Sequence, residues 1–299
     1  MKDPRPQPIY RKDYRPPHYL VDTVELYVSL HEDHAEIRST LEIRRNPATA
    51  AGPQPLVLHG ENLELQSIAL DDAPLPQGAW VSDAQTLTVH EVPQRFRLST
   101  VVRIEPQNNT QLEGLYRSGE TFCTQCEAEG FRRITYFIDR PDVMARYTTT
   151  IEADAARYPV LLSNGNREAE GALPGGRHFV RWRDPFPKPC YLFALVAADL
   201  HCHAGEHVTA SGRRLRLEIW VEHHNADACE HALRSLQRAM AWDEEVFGLE
   251  YDLDVYMIVA VSHFNMAAME NKGLNVFNDK FVLARPQTAT DDDYENIEG

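Results

Sequence analysis

The run Phe264-Asn265-Met266-Ala267-Ala268-Met269-Glu270-Asn271-Lys272-Gly273-Leu274 sets one acidic residue, Glu270, among mainly apolar and amide side chains. It follows a strongly apolar strand, Val255-Tyr256-Met257-Ile258-Val259-Ala260-Val261. A carboxylate beside a buried strand costs free energy unless a cation or hydrogen-bond donors satisfy it. A substrate amine is one such cation. The plainer reading is a strand-turn segment with one solvent-facing glutamate, and a short motif alone does not decide between the two.

On either side of this run the chain mixes helix and strand. Leu215–Val221 reads as a strand, and Asp227–Phe247 carries the first long helical period, with Ala228, Ala232, Leu236, Met240 and Phe247 near one face. Thr290-Asp291-Asp292-Asp293 reads as a helix start, with Thr290 as N-cap and acids in the first turn. Six residues follow Asp293, too few for several turns of apolar face, so the expectation is that the reading frame continues past Gly299.

The first two hundred residues are different. Val24, Leu26, Val28 and Leu30 alternate with polar neighbours, and Ile37, Leu41 and Ile43 suggest the returning strand. Leu63–Leu70, Thr86–Val92, Phe96–Ile104, Ala145–Glu152, Val160–Leu162, Phe179–Trp182 and Tyr191–Ala197 continue the pattern, with turn signals such as Asn46-Pro47 between them. The expected fold class is mainly β, with an antiparallel β domain over residues 1–199 and the start of an α+β domain over 200–299.

Composition narrows the function classes. Of 299 residues, 45 are acidic and 30 basic, a net charge of −15, which argues against nucleic-acid binding because that needs a basic footprint. No run of about 18 apolar residues suggests a membrane span, and residues 1–17 lack the apolar core of a signal peptide. Five cysteines, an odd number, fit free thiols in a reducing cytoplasm better than a disulfide framework.

Three clusters invite a metal or redox reading. Cys123 and Cys126 form one C-x-x-C pair, half of a structural zinc site, and read as packed thiols. His31-Glu32-Asp33-His34 spaces its histidines three apart in an expected hairpin turn, not four apart on a helix. His223, His224, Cys229 and His231 gather at a strand-to-helix junction without chelating spacing and read as a solvated helix start. No G-x-S-x-G, P-loop or dinucleotide-binding glycine pattern occurs, and neither does H-E-x-x-H.

A chain-long resemblance adds to this reading. Cys123-Thr124-Gln125-Cys126-Glu127-Ala128-Glu129-Gly130-Phe131-Arg132, Asp139-Arg140-Pro141-Asp142, Leu162-Ser163-Asn164-Gly165-Asn166, Asp184-Pro185-Phe186-Pro187-Lys188-Pro189-Cys190-Tyr191 and Met266–Asn271 occur in this order. Together they resemble the bacterial aminopeptidase N family of zinc metallopeptidases, the last run standing where that family has G-A-M-E-N. The resemblance implies a saddle-like β domain followed by the opening of a thermolysin-like catalytic domain. It implies that Glu270 and Glu127 bind the α-ammonium of a peptide with a free N-terminus, and that Gln125 lines the pocket. Met266 would cushion the first substrate side chain, the backbone of Ala267 and Ala268 would pair with the substrate, and Asn271, which completes the signature, would also be a substrate-binding residue.

A cis peptide bond at Glu127-Ala128 is also implied. Zn2+ would be held in the complete enzyme by an H-E-x-x-H and a later glutamate. These residues, together with the catalytic groups, are expected beyond Gly299, so the chain alone is expected to bind no metal and to be inactive. The complete enzyme is expected to be a cytoplasmic monomer without nucleic-acid or membrane partners. Ala267 departs from the family glycine and is expected to alter affinity before it abolishes function. The alternative is a non-catalytic peptide-binding or scaffold remnant of the same family.

Overall fold

The computed structural model describes residues 8, 10–49, 52–262 and 267–299. Met266 therefore lies outside the described residues.

The N-terminal part is built on an eight-stranded sheet. Its spatial order is Asn166–Leu173, Arg177–Pro189, Met144–Asp154, Tyr19–Leu30, Ala35–Arg45, Arg95–Ile104, Glu64–Leu70 and Ala73–Pro74. Period-two patterning explains the central strands. In Arg95–Ile104, Phe96, Leu98, Thr100, Val102 and Ile104 are buried, and the residues between them face outward. Tyr19–Leu30 and Ala35–Arg45 form the expected hairpin, with Val24 opposite Leu41 and Val28 opposite Ile37. His31–His34 makes the turn, closed by the His31 N–H donating to His34 O at 2.9 Å.

One pair in this sheet is not antiparallel: Tyr19–Leu30 runs parallel to Met144–Asp154. A parallel pair needs a long crossover, and here the chain builds a three-stranded sheet and two strands of a four-stranded one before returning. The three-stranded sheet is ordered Leu56–His59, Thr86–Val89, Trp80–Ser82. The four-stranded sheet is ordered Val160–Ser163, Leu195–Ala198, Thr121–Gln125, Gly114–Ser118. The expected strand over Tyr191–Ala197 is shorter than its apolar run: Cys190–Leu192 is a 3-10 turn after Pro187 and Pro189, and the strand starts at Leu195.

A five-stranded sheet begins at His201. Its order is His201–Val208, Arg214–Val221, Val255–Val261, Leu274–Asn278, Ala268–Met269. Helix α1 (Glu230–Phe247) covers one face and starts three residues later than its apolar period suggested, because His223–Ala228 is a 3-10 segment. Gly248 ends it in the left-handed conformation and donates its N–H to Glu244 O at 3.1 Å. Helix α2 (Asp291–Glu298) opens on the expected Thr290 cap, completed by a reciprocal bond from Thr290 N–H to Asp293.

The two faces of this sheet belong to two cores. Leu215, Leu217, Ile219, Val221, Ile258 and Ala260 pack with Cys229, Ala232, Leu233 and Met240 at helix α1. Met257, Val259, Val261, Met269, Leu274 and Val276 join the large core of the N-terminal sheets. Alternation along Val255–Val261 thus sends neighbouring residues into different cores. Among the described residues, no helix is long and apolar enough to cross a membrane.

Leu274 is fully buried at this junction. A Leu274→Ala variant is expected to lose about 2–5 kcal/mol of unfolding free energy in urea titration, the usual cost of a core Leu→Ala change. A loss below about 0.5 kcal/mol would show that the inner face of the sheet is not held by the large core.

Candidate functional site

Ala268–Met269 is the last strand of the five-stranded sheet. It pairs antiparallel with Leu274–Asn278, Ala268 opposite Phe277 and Met269 opposite Val276, and Asn278 N–H donates to Ala267 O at 3.0 Å. An edge strand leaves one row of backbone donors and acceptors for another chain. Met269 is buried in the large core, whereas Ala267 and Glu270 on either side of the strand are exposed. Gly273 takes a positive φ, 74°, in the tight turn that Leu274 N–H closes onto Asn271 O at 3.1 Å.

The exposure of Glu270 corrects one step of the sequence argument. Its carboxylate is not buried beside the apolar strand, so desolvation does not by itself demand a cation. Asn271 is the buried residue. Its amide donates to Phe193 O at 3.1 Å, and its side-chain oxygen has no hydrogen-bond partner among the described residues.

The other candidates sit on the loop after strand Thr121–Gln125. That strand pairs with Leu195–Ala198, Phe122 opposite Ala197, and Thr124 Oγ1 accepts from Leu195 N–H at 2.9 Å. Gln125 is buried and donates to Glu127 O at 3.4 Å, while its own side-chain oxygen is also unpartnered among the described residues. Glu127 is exposed, and the Glu127-Ala128 peptide is cis as expected. Gly130 closes the loop: a Cβ there would meet Gln125 O at 2.4 Å.

The structure therefore brings Gln125 to Glu127, and Ala267 and Ala268 to the sheet edge. It ties both loops to one segment, residues 193–195. It makes no hydrogen bond or ion pair between Glu127 and Glu270, and among the described residues neither carboxylate has a side-chain partner. Their neighbours do: Glu129 pairs with Arg132 at 3.3 Å and Lys272 with Asp252 at 2.8 Å.

Asn164 is a site-region residue to which the sequence reading attached no role. It is buried, donates to Leu192 O at 3.0 Å and Lys272 O at 2.8 Å, and accepts from Ala194 N–H at 2.8 Å. In the sequence it is a polar residue between an apolar strand and Gly165, inside one of the strings that carry the resemblance.

The histidine and cysteine clusters do not converge. His31 and His34 stack with ring centroids 4.5 Å apart in the hairpin turn. His223 pairs with Asp199, His224 with Glu222, and His231 with Tyr294 O. Cys123 and Cys126 are free and buried, and burial pushes the Cys123 thiol up to about 12 and Cys126 well above the usual thiol range. Thiols held protonated in this way are poor nucleophiles and poor metal ligands. Among the described residues no group of three or more His, Cys, Asp or Glu is placed to hold a metal ion, so these clusters do not fit zinc.

Behind the site lies a buried ion pair. Lys188 Nζ stands 3.1 Å from Asp184 Oδ2 and 3.7 Å from the centre of the Tyr147 ring. Burial pushes the Lys188 ammonium down to about 8 although Asp184 pulls the other way.

Two family descriptions match the chain: the peptidase M1 N-terminal domain over residues 15–192 and the peptidase family M1 domain over residues 231–299. Aminopeptidase N of Caulobacter vibrioides is 54% identical over 298 residues, covering 100% of this chain and 34% of that protein. Aminopeptidase N of Escherichia coli K12 is 53% identical over 98% of this chain and 33% of its own length. A crystal structure of Legionella pneumophila aminopeptidase A in complex with aspartic acid superposes with a TM-score of 0.92 at 37% identity, over 96% of this chain and 34% of that one. The chain thus spans about a third of the length of the relatives it matches.

The buried lysine gives a signed pH prediction. Unfolded, Lys188 titrates at the ordinary 10.5; folded, at about 8. Between these values the unfolded chain binds more protons, so stability rises with pH from about 8 to about 10.5. Below pH 8 both states carry the charge and the burial penalty is present in full. Measured against a Lys188→Met/Asp184→Asn variant, the wild-type unfolding free energy is expected to climb between pH 8 and pH 10. A flat or falling difference would contradict the assignment.

Proposed function

The chain belongs to the M1 peptidase family, and from that premise we propose that it carries the substrate-amine recognition part of a zinc-dependent aminopeptidase. Glu127 and Glu270 grip the α-ammonium of a peptide, and the zinc and the peptide-cleaving groups are supplied by residues outside these 299. Family membership supports peptide hydrolysis as the reaction class, and M1 aminopeptidases are typically metal-dependent. One observation carries the amine reading: two exposed carboxylates, without side-chain partners among the described residues, stand on loops anchored to the same short segment. A third acceptor accompanies them, the buried side-chain oxygen of Gln125, unpartnered among the described residues.

The chemistry fits an N-terminal amine. Its pKa is near 8, so it is mostly charged at neutral pH and offers three N–H donors to acceptor-only carboxylates. An internal peptide segment brings no such charge, which leaves the two carboxylates uncompensated and favours exopeptidase selection. The edge of Ala268–Met269, unpaired on its outer side among the described residues, supports pairing with the substrate backbone as an added strand. Ala267 and Ala268 line an open groove with Ile258 and Phe277, where side-chain bulk at position 267 would be felt. Met266 keeps its proposed role as a flexible, polarizable cushion for the first side chain. The free thiols support a reducing compartment, the cytoplasm.

The test compares tetra-alanine with its N-acetylated form by calorimetry at pH 7. The free amine is expected to bind about tenfold to a hundredfold tighter, the usual range for charge-assisted hydrogen bonds. Glu270→Gln and Glu127→Gln should each remove most of that preference, and the preference should fade above about pH 8 as the amine deprotonates. Equal affinity for the two peptides would overturn the reading. Neither peptide should be hydrolysed by this chain; cleavage with added zinc would contradict the assignment of the cutting groups to other residues.

A further inference from the structure

We propose that Asn164 is a positioning residue that sets where Glu270 stands relative to Glu127. The inference rests on the amine-recognition reading for its consequence, and on the hydrogen-bond geometry for its substance.

Asn164 is 3% exposed, and its amide meets three backbone groups. Both N–H donors are used, one on Leu192 O and one on Lys272 O, and the oxygen receives Ala194 N–H. A buried amide satisfied in this way has one orientation, because any rotation leaves at least one buried group unpaired. The backbone beneath it is equally constrained. Ser163 Oγ donates to Ala194 O at 2.8 Å, and Gly165, at φ 98°, lies so close to Arg183 O that a Cβ would stand 2.2 Å away.

The far end of the connection is held as firmly. Lys272 is bidentate on Asp252, both contacts 2.8 Å, and its ammonium lies 4.8 Å from the centre of the Phe186 ring. Asn271 donates to Phe193 O, and Asn275 donates to Asn271 O at 2.8 Å. The two residues after Glu270 are thus locked through backbone or side chain, Asn271 buried and Lys272 half-buried, while Glu270 itself is exposed.

The segment that Asn164 reads, residues 192–194, runs directly into Leu195, whose N–H is held by Thr124, three residues before Glu127. Both carboxylates are therefore measured from one stretch of backbone. Their separation decides whether one ammonium can satisfy both, and a misplacement of about 1 Å can cost as much as a hundredfold.

A second latch joins the same two parts of the molecule and serves as a control. Asn166 Nδ2 donates to Asp254 Oδ2, and Asp254 N–H donates to Asn166 Oδ1, both at 2.8 Å. Its partner is the residue before strand Val255–Val261, not the Glu270 turn. If Asn164 merely glued the two parts together, loss of either latch would act alike.

The experiment uses the full chain as wild type, Asn164→Ala, Asn164→Ser and Asn166→Ala. Calorimetry gives the affinity ratio of free to N-acetylated tetra-alanine, and hydrogen exchange follows the amides of residues 267–278. The expected result is an about tenfold fall of the ratio in Asn164→Ala, a smaller fall in Asn164→Ser, and none in Asn166→Ala. Exchange should quicken at Leu274 and its neighbours in the Asn164 variants only. An unchanged ratio in a folded Asn164 variant, or an equal fall in Asn166→Ala, would overturn the proposal. Should Asn164→Ala fail to fold, the serine variant, which keeps a hydroxyl for one partner, decides by the same ratio. If the wild type itself shows no preference for the free amine, the amine reading fails and exchange alone judges Asn164. Faster exchange confined to the 270–274 turn then supports positioning, and unaltered or uniformly altered exchange refutes it.

Discussion

The inner face of the five-stranded sheet buries its side chains in the core of the N-terminal sheets, and the candidate site depends on that contact. Met257, Val259, Val261, Met269, Leu274 and Val276 lie in the same apolar cluster as Phe131, Tyr147 and Phe193. At about 25 cal/mol per Å2 of apolar surface removed from water, such an interface is worth far more than any single hydrogen bond across it. Apolar contact is non-directional, however. It holds the two parts together without choosing their register.

Register comes from amides. Asn164, Asn166 and Asn271 cross the same junction with directional bonds to backbone groups or to Asp254. Each contributes about 1 kcal/mol net, yet a misfit at Asn164 or Asn271 would leave a buried donor or acceptor unpaired at a larger cost. The surface ion pairs around them are weaker still as stabilisers and are screened by salt. The division of labour is plain: apolar burial supplies adhesion, and three asparagines supply the alignment in which two exposed carboxylates share a backbone reference.

Much of this was legible in the sequence where one face of an element is apolar. Arg95–Ile104, the Tyr19–Arg45 hairpin, Val255–Val261 and the Thr290 cap are where the patterning put them. Elements without an apolar face stayed invisible. Asn166–Leu173 is an exposed edge strand, and His201–Val208, mostly half-exposed histidine and small residues, has no period to read. The parallel pairing of Tyr19–Leu30 with Met144–Asp154 was hidden because alternation reports burial, not strand direction. For the site, Glu127 emerged from resemblance alone; Glu270 also stood out as the one acid of its run, but the desolvation argument for it failed because a neighbour, Asn271, takes the buried position. Asn164 stood in one of the strings that carry the resemblance but took no role from it, since a side chain that bonds to distant backbone leaves no periodicity.

The account stands on Glu127 and Glu270 acting on one ammonium as a pair. A double-mutant cycle with Glu127→Gln, Glu270→Gln and both together, reading the affinity of a free-amine peptide, measures that directly. Two carboxylates sharing one cation should show a coupling energy of about 0.5–3 kcal/mol, the second substitution costing less once the first is made. Costs that add within about 0.3 kcal/mol would mean that the two residues act on separate groups, and the shared amine anchor would be wrong.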